Sequence, residues 1–143
     1  MMEIKIKQLS ENMKVPTRGT QFSAGNDLYA TETAVIRPGE VHIFGTGFAA
    51  DIATGYFGAI FSRSGMSTKR GLTVSTGVSV IDSDYRGEIF VGIRNQSDED
   101  QMIYKGDRIA QMVILPFEKV GFRVVTDLPE SQRDSGGYGS TGR

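Results

Sequence analysis

Two carboxylates stand two residues apart in the segment Val80–Glu88, and an aromatic ring follows them. An extended backbone points Asp82 and Asp84 to the same side. One of these carboxylates could orient a water molecule as a general base, or the two could hold a divalent metal. Tyr85 offers a ring on which a base or a sugar can stack. The alternative is an acidic turn in which Arg86 pairs with a carboxylate, and for Asp84 we favour it.

A second segment, Phe61–Met66, places Arg63, Ser64 and Gly65 at the start of a short helical stretch. The first turn of a helix offers unpaired N–H groups and a partial positive charge, and glycine lets a ligand come close. This combination is typical of an anion site. The alternative is a surface turn that Ser64 caps.

Two further polar side chains stand next to apolar runs. Asp27 is expected in a loop just ahead of Leu28. Gln111 interrupts the run Ile109–Leu115, which is nearly continuous apolar and predicts a strand buried on both faces. A Gln in such a strand needs polar partners, and a ligand or the backbone could equally supply them. His42 is interpreted as a surface strand residue.

The last residues, Arg133–Arg143, have almost no aliphatic side chain to bury. Such a segment is expected to be disordered unless something holds it. It does offer a cation, the Tyr138 ring, two hydroxyl groups and glycine N–H groups that can approach an anion. We therefore interpret it as a lid over a phosphorylated ligand with a flat base, against the alternative of a frayed Gly/Ser tail.

The remaining sequence predicts the elements that position these residues. Short apolar runs alternate with polar residues at the period of two that strands show, as in Ile4–Ile6, Phe48–Ile52 and Ile89–Ile93. Only Ser64–Arg70 looks helical, and Arg37–Glu40 has the Pro and Gly positions of a type II turn. We predict an all-β, jelly-roll-like domain over residues 1–128 with one short helix, followed by a mobile C-terminal arm over 129–143.

The 143 residues carry a net charge of −1 and include no cysteine. This balance argues against a nucleic-acid or membrane partner, so phosphate binding would depend on a few placed cations. Without cysteine, disulfides, thiolate metal sites and a cysteine nucleophile are excluded. No apolar stretch reaches transmembrane length, and the first residues do not resemble a signal peptide. We expect a soluble, cytoplasmic protein.

Five segments, taken in order, resemble the five motifs of the homotrimeric dUTP diphosphatases, or dUTPases. They read Ala-Gly-Asn-Asp-Leu, Arg-Ser-Gly-Met, Ile-Asp-Ser-Asp-Tyr-Arg-Gly-Glu, Gly-Asp-Arg-Ile-Ala-Gln and Arg-Asp-Ser-Gly-Gly-Tyr-Gly-Ser-Thr-Gly. Each motif alone is weakly specific, but five in this order and spacing form a strong signal. The resemblance covers roughly residues 20 to 142, which is most of the chain.

The resemblance implies a homotrimer with three active sites, each assembled from all three subunits. The implied reaction converts dUTP and water to dUMP and pyrophosphate with Mg²⁺ as cofactor. Its biological consequence would be to keep uracil out of DNA and to supply dUMP for dTMP synthesis. A regulatory protein partner stays open, since the acidic segment 95–101 could bind one, although a solvated turn is the favoured interpretation.

Asp82 matches the family's general base, which directs water onto the α-phosphorus, and Tyr85 matches the ring beneath the deoxyribose. Asp27 matches a residue that orients metal-bound water. The resemblance assigns base contacts around residues 76–82 to Thr76, Val78 and Ile81, phosphate contacts to Arg63, Ser64, Gly65 and Gln111, and lid contacts to Arg133, Tyr138, Gly139, Ser140 and Thr141.

The sequence departs from the family pattern at a few positions. The family usually has Asn where Thr76 stands and Gly where Ser79 stands, so the contacts to the base should differ in detail. Asp134 replaces a common Gly and adds a negative charge near the triphosphate, which should weaken lid closure slightly. Tyr138 replaces Phe and keeps the stacking face.

Two other functions are alternatives to a diphosphatase. A dCTP deaminase of the same fold would need a carboxylate positioned for deamination, usually on a longer chain, and the intact tail argues against it. A regulator that kept the pocket without catalysis would not need Asp82, whose presence argues against that function.

Overall fold

The computed structural model describes residues 2–136, and within them the chain forms twelve strands and one helix. The helix is α1 (Ser64–Arg70). The strands are β1 (Lys5–Gln8), β2 (Thr17–Arg18), β3 (Asn26–Tyr29), β4 (Ala34–Ile36), β5 (Val41–Gly45), β6 (Phe48–Asp51), β7 (Tyr56–Phe61), β8 (Leu72–Val74), β9 (Ser79–Ile81), β10 (Phe90–Asn95), β11 (Gln101–Ile103) and β12 (Arg108–Pro116). The all-β prediction is confirmed, and α1 has the predicted bounds.

The strands form antiparallel sheets whose neighbours come from distant parts of the chain. The largest sheet has five strands in the order β2-β3-β12-β7-β9, and a second has the order β5-β10-β8. Two pairs, β1-β6 and β4-β11, complete the described sheets. Because β12 lies between β3 and β7, three of the motif segments become neighbours at one end of the largest sheet.

Apolar side chains meet in a single core. Leu28, Phe44, Ile60, Ile93 and Ile109 are almost fully buried. Removing one such side chain from water contributes about 1.5–3 kcal/mol. Along each strand, apolar residues that face this core alternate with residues that face outward. This alternation fixes the strand register, because a slip of one residue would turn the apolar side chains of the strand toward solvent.

The strand β12 has the central position that its apolar run predicts. It pairs with β3 on one side and with β7 on the other. Ile109, Ala110 and Met112 are buried, whereas Val113, Ile114 and Leu115 are only half-buried in the single chain. Burial on both faces is therefore confirmed for the first half of the strand, the half that leads to Gln111.

The segment Arg37–Glu40 forms the predicted type II turn. The Glu40 N–H donates to the Arg37 carbonyl oxygen at 3.0 Å. Gly39 has a φ of 78°, the left-handed value that the third position of this turn requires.

Two local predictions about helix and strand ends were wrong. Asp27 lies within β3 rather than in a loop, because its segment pairs with β12 and β2. Ser64 is the first residue of α1, and Arg63 occupies the N-cap position in an extended conformation. The helix ends at Gly71, whose φ of 64° gives the left-handed C-cap that glycine favours.

The sequence also favours a β-hairpin tip at Asp84–Gly87 and a hairpin at residues 76–82, and both predictions were wrong. The connections from β8 to β9 and from β9 to β10 join strands of different sheets, because β9 pairs with β7 while β8 and β10 pair with each other. A sequence rich in Gly and Asp favours a tight change of direction, but does not determine which sheet the next strand joins.

The strand β12 ends at Pro116, and residues 117–136 form neither helix nor strand. We call residues 117–128 the apolar arm, because it exposes Val120, Phe122, Val124 and Leu128, with Phe122 97% and Val124 100% exposed. The domain boundary after residue 128 stays a prediction. Within residues 2–136, no helix has the length and apolar character to cross a membrane.

Asn95 is a buried polar residue that joins three chain segments. Its Nδ2 donates to the carbonyl oxygens of Ile36 and Glu99 at 2.8 and 2.7 Å, and its Oδ1 accepts from the Ser97 N–H and hydroxyl. Asn95→Ala should lower the free energy of unfolding by about 2–4 kcal/mol, because buried partners lose their hydrogen bonds.

This loss is measured by urea unfolding at a fixed protein concentration. The exposed Asn12→Ala is the matched control and should change stability by less than about 0.5 kcal/mol. Equal losses in the two variants would contradict a structural role of the buried amide.

Candidate active site

Three neighbouring strands bring the first, second and fourth motifs together. Gln111 of β12 lies opposite Asp27 of β3 on one side and opposite Phe61 of β7 on the other. Adjacent strands are about 4.8 Å apart, so this register sets the spacing of the polar groups. Arg63 follows two residues after Phe61 and comes alongside Asp27.

Asp27 forms ion pairs with two arginines. Its Oδ1 accepts from Arg63 Nε at 2.8 Å, and its Oδ2 lies 3.4 Å from Arg108 Nη1. The Asp27 side chain is only 13% exposed, so these contacts are less screened than those of a surface pair. Each guanidinium group has five N–H donors and keeps several of them for another anion.

The first turn of α1 forms the adjacent wall. Met66 and Ser67 donate their N–H groups to the Arg63 carbonyl oxygen at 3.1 and 3.0 Å, which fixes the start of the helix. The N–H groups of Ser64 and Gly65 belong to the turn that lacks partners inside a helix. Gly65 faces open space, so an anion can approach the backbone there.

These elements enclose a polar cavity of about 210 Å³, which we call the Arg63 pocket. Its lining consists of Gly19, Ser23, Gly25, Asp27, Arg63, Ser64, Gly65, Arg108 and Gln111. Sites for whole organic ligands usually measure 300–1,000 Å³, so this pocket can hold one part of a nucleotide, such as phosphate groups. The structure thus brings together five residues for which the sequence predicted phosphate or metal-water contacts.

Gln111 lines the Arg63 pocket and also binds the backbone. Its Nε2 donates to the Ser62 carbonyl oxygen at 3.1 Å, and the Ser62 hydroxyl accepts from the Val74 N–H at 2.8 Å. The amide therefore fixes the residue that precedes Arg63. Of the two interpretations left open, the backbone-bonded Gln is the one observed, and its side chain still borders the cavity.

Sequence reasoning did not assign Arg108 to the site. It lies three residues before Gln111, and simple strand alternation would place the two side chains on opposite faces. The pairing of β12 with β3 shifts register between Arg108 and Ala110, an irregularity typical of a β-bulge. This bulge turns the Arg108 side chain toward Asp27. The alternation of a regular strand, with its period of two residues, does not predict this orientation.

The segment between β8 and β9 forms a tight turn outside the Arg63 pocket. The Gly77 N–H donates to the Val74 carbonyl oxygen at 3.0 Å, and Gly77 has a φ of 75°. The hydroxyl oxygens of Thr76 and Ser79 lie 2.7 Å apart across the turn. Thr76 and Val78 are exposed, so this face of the turn is open to a ligand.

Asp82 and Tyr85 lie in the next turn, after Ile81. The Tyr85 N–H donates to the Asp82 carbonyl oxygen at 3.1 Å, and the Asp82 side chain is exposed. The Tyr85 hydroxyl donates to the Glu88 carbonyl oxygen at 2.9 Å, and its ring lies so close to Gly87 that a Cβ there would clash. The ring is thus held in place, and Tyr85 stays 42% exposed.

Arg86 does not pair with the neighbouring carboxylates. Its Nη2 donates to Asp51 Oδ1 at 2.8 Å, and its Nη1 donates to the Ser83 carbonyl oxygen at 2.6 Å. The expected pairing with Asp84 was therefore wrong, because Arg86 reaches β6 instead.

Asp82 and the Arg63 pocket lie at different ends of β7. Ile81 pairs with Gly58, whereas Arg63 lies five residues further along, about 16 Å in an extended strand. Among the described residues that line the Arg63 pocket, neither Asp82 nor Tyr85 occurs. One chain thus presents two separate half-sites, one with two arginines and one with a carboxylate and a ring.

Arg133 lies outside both half-sites. It is exposed, and its Nε donates to the Gly136 carbonyl oxygen at 2.9 Å. Asp134 has a φ of 42° and donates its N–H to Ser131. The other predicted lid residues, Tyr138, Gly139, Ser140 and Thr141, lie outside the described residues.

Within residues 2–136, no three acidic or histidine side chains come together as a metal site. Both oxygens of Asp27 accept from arginines, yet each keeps a lone pair for a further donor. The donor set therefore fits a cation that is held mainly by phosphate oxygens and water, which is how Mg²⁺ usually binds at such sites.

A larger, more apolar groove of about 1060 Å³ lies beside the Arg63 pocket, and Gly19 borders both. Its walls include the apolar side chains of Met2, Ile4, Ile6, Val15, Phe48, Tyr56, Met112 and Ile114. Five of these side chains belong to β1, β6, β7 and β12, and Met2, Ile4 and Val15 come from the segments that precede β1 and β2.

Comparison with known proteins identifies the family. The dUTPase family model matches residues 11–142. The deoxyuridine 5'-triphosphate nucleotidohydrolase of Nautilia profundicola is 44% identical over 142 residues, which cover 99% of this chain and all of the relative. The dUTPase of Staphylococcus bacteriophage 80alpha, solved with dUPNHPP, superposes with a TM-score of 0.92 at 30% identity and full coverage of both chains.

A mutant dUTPase from phage phi11 of S. aureus, described with a structural Mg(II) ion, gives a TM-score of 0.81 at 28% identity, covering 90% of this chain and 100% of that one. The chain therefore belongs to the dUTPase family. The predicted class of enzyme, a hydrolase acting on acid anhydrides, and the predicted jelly-roll fold are confirmed.

Gly25 is a position where the site tolerates no side chain. A Cβ there would lie 2.5 Å from Gln111 Oε1 and 3.2 Å from Gln111 Cβ. Gly25→Ala should displace Gln111, release Ser62 and weaken the binding of pyrophosphate, used as a probe of the Arg63 pocket, about tenfold. The measurement is calorimetric titration. Gly121→Ala, at a position that faces open space, is the control and should leave binding unchanged.

Proposed function

We propose that the chain hydrolyses dUTP to dUMP and pyrophosphate. The observation that carries this proposal is the pair of half-sites, an anion pocket with two arginines and a separate turn with an exposed carboxylate beside an open ring. Hydrolysis of a nucleoside triphosphate needs both, one to hold the phosphates and the other to activate water near the sugar. The names of the relatives support the same substrate.

The active chain would be a homotrimer whose sites are shared between subunits. Two features of the monomer support this arrangement. Within one chain, the half-sites lie too far apart along β7 for both to contact the same phosphate group. The apolar arm leaves Phe122 and Val124 exposed, and the chain also has an apolar groove of about 1060 Å³. A second copy can cover apolar surfaces of this kind.

In the proposed mechanism Asp82 acts as the general base. Its carboxylate accepts a proton from a water molecule while the water oxygen forms a bond to the α-phosphorus. The bond between that phosphorus and the oxygen that bridges to the β-phosphorus breaks, and pyrophosphate leaves. The exposed position of the Asp82 side chain leaves room for the water and the nucleotide.

The turn residues around Asp82 would select the nucleoside. The Tyr85 ring would lie beneath the deoxyribose, and its bond to Glu88 would hold the ring close enough to exclude a 2′-hydroxyl. The base would lie against residues 76–82, with contacts to Thr76, Val78 and Ile81. Backbone groups in this tight turn are fixed and can match the edge of uracil.

The Arg63 pocket would hold the phosphate chain. Arg63 and Arg108 would supply charged donors, Ser64 and Gly65 the N–H groups of the first helical turn, and Gln111 a polar wall. In the lid, Arg133 would reach the terminal phosphate, Tyr138 would cover the base, and Gly139, Ser140 and Thr141 would close the phosphate site.

The triphosphate would carry Mg²⁺, with Asp27 in contact through water. When bound, the cation neutralises negative charge on the phosphates and the leaving group. The main role of the Asp27 carboxylate would be to orient the guanidinium groups of Arg63 and Arg108. In the cell this activity would remove dUTP, keep uracil out of DNA and supply dUMP for dTMP synthesis.

Pyrophosphate release with Mg²⁺ tests the reaction, with dUTP compared with dTTP, dCTP and UTP. Asp82→Asn should lower kcat about 1,000-fold, because the amide cannot take the proton from water. Asp84→Asn, two residues away, is the matched control and should stay within about threefold of the original rate, a difference of under 1 kcal/mol. Ammonia release from dCTP, or tight dUTP binding without turnover, would contradict the proposal.

Shared sites can be tested by mixing two inactive variants. Arg63→Ala removes a phosphate contact and Asp82→Asn removes the base, so each protein alone should be nearly inactive. After joint refolding, a site built from two chains is intact when each chain supplies its unaltered half. With random association in equal amounts, this restores roughly one quarter of the sites.

The readout is again pyrophosphate release, before and after joint refolding. Refolding each variant separately and then mixing briefly is the control. A mixture that stays inactive although trimers form would show that each site belongs to one chain.

A further inference from the structure

Glu88 carries a half-buried carboxylate beside the Tyr85 turn, and this side chain has no part in the mechanism above. Its Oε1 accepts from the Gly47 N–H at 2.9 Å. A Cβ at Gly45 would clash with the same oxygen, so the carboxylate lies directly against the backbone at the end of β5. The Glu88 side chain thus connects the segment that follows Tyr85 to the connection between β5 and β6.

The connection between β5 and β6 is itself held firmly. Gly47 has a φ of 78°, and a Cβ there would lie 3.0 Å from the Cβ atoms of Met13 and Ser10. The Gly47 carbonyl oxygen accepts from the N–H groups of Leu9 and Ser10 at 2.7 and 3.1 Å. This backbone conformation is one that glycine adopts readily, and close packing and two hydrogen bonds fix it. The Glu88 carboxylate is therefore bound to a rigid part of the chain.

The backbone of Glu88 in turn holds the Tyr85 ring. The Tyr85 hydroxyl donates to the Glu88 carbonyl oxygen at 2.9 Å, and the ring lies against Gly87. That carbonyl belongs to the same planar peptide unit as the Ile89 N–H, which donates to the Phe48 carbonyl oxygen at 3.0 Å. The bond to Phe48 sets the direction of the peptide unit, and the bonded side chain of Glu88 fixes the α-carbon at its other end.

The position of the ring is what would separate the two kinds of sugar. Ribose and deoxyribose differ only in the hydroxyl group at C2′, and the proposed function excludes that hydroxyl by a clash with Tyr85. Exclusion by a clash depends steeply on distance, so a ring that can move back no longer discriminates. Any contact that immobilises the acceptor of the Tyr85 hydroxyl therefore contributes to the choice of sugar.

We propose that Glu88 is a positioning residue for sugar selection, because its carboxylate, bound to the Gly47 N–H, keeps the Tyr85 ring where a 2′-hydroxyl does not fit. The inference rests on the proposed function, since it places the deoxyribose against Tyr85. It goes beyond that function, because it makes the preference for deoxyribonucleotides depend on a carboxylate that acts through Tyr85 and touches no nucleotide.

Binding without turnover gives the direct test. The probes are dUPNHPP and the corresponding ribonucleotide analogue, titrated calorimetrically into the full chain. Glu88→Ala should lower the affinity ratio in favour of the deoxyribonucleotide about tenfold, because the ring can then move back from the 2′-hydroxyl. Glu88→Gln keeps an oxygen that accepts from Gly47 and should stay within about twofold of the original ratio. The exposed Glu11→Ala is the control and should leave the ratio unchanged.

A double-variant cycle distinguishes positioning from a general loss of structure. Tyr85→Phe removes the hydroxyl through which Glu88 acts, so adding Glu88→Ala to it should change the ratio by less than about twofold. A merely structural role would weaken both analogues by the same factor and leave the ratio as it was. That result, or an equal fall of the ratio with and without the Tyr85 hydroxyl, would overturn the proposal.

A second variant makes the test independent of whether Glu88→Ala folds. Gly45→Ala would push the carboxylate away from Gly47 while the charge stays in the chain. It should lower the affinity ratio in the same direction as Glu88→Ala, and an unchanged ratio in the folded Gly45→Ala protein would contradict the positioning role. Thermal unfolding of each variant checks that it folds.

The two proposals can fail separately. Absence of pyrophosphate release from dUTP would contradict the proposed reaction, while the affinity ratio would still test the role of Glu88. A ratio that Glu88→Ala does not change would contradict the positioning role even if dUTP is hydrolysed rapidly. If neither analogue bound to the original chain, both proposals would be wrong.

Discussion

The ion pair between Asp27 and Arg63 is the interaction on which the geometry of the Arg63 pocket depends. It crosses the end of β12 and ties β3 to the segment that follows β7. Without the carboxylate, Arg63 and Arg108 would repel each other and turn toward solvent. With it, the cluster of two guanidinium groups and one carboxylate keeps a net charge of +1 and a fixed direction. The same contact that closes the end of the sheet therefore prepares the anion pocket.

The strand β7 separates the Arg63 pocket from the turn that carries Asp82. It carries the Arg63 end of the site at one terminus and pairs with β9, which leads to Asp82, at the other. A strand is stiff and cannot fold back to bring its two ends together. In the proposed homotrimer the two half-sites would meet across chains, and association would also cover the apolar arm and the apolar groove that one chain leaves exposed.

Much of the fold could be predicted because it depends on local features of the sequence. The bounds of α1, the turn Arg37–Glu40 and the central position of β12 follow from propensity, turn chemistry and apolar periodicity. The errors arose where tertiary pairing decides. Asp27 lies in a strand because its segment pairs with β12 on one side and with β2 on the other. The turn after Ile81 leads to a strand of another sheet and therefore does not form a hairpin. Arg108 lines the Arg63 pocket because of a β-bulge, and the apolar periodicity of the sequence does not predict a bulge.

The charge balance of the chain explains how an anion pocket can exist on a nearly neutral protein. The net charge of −1 provides no long-range attraction for a polyphosphate, so affinity must come from short, directed contacts. A local charge of +1 offsets only part of the several negative charges of a triphosphate. In the proposed reaction the rest would be offset by a cation that arrives with the nucleotide and by the donors proposed for the lid, Arg133 among them. Under that proposal, a pocket that binds weakly on its own would release pyrophosphate once those partners depart, which would favour turnover over tight product binding.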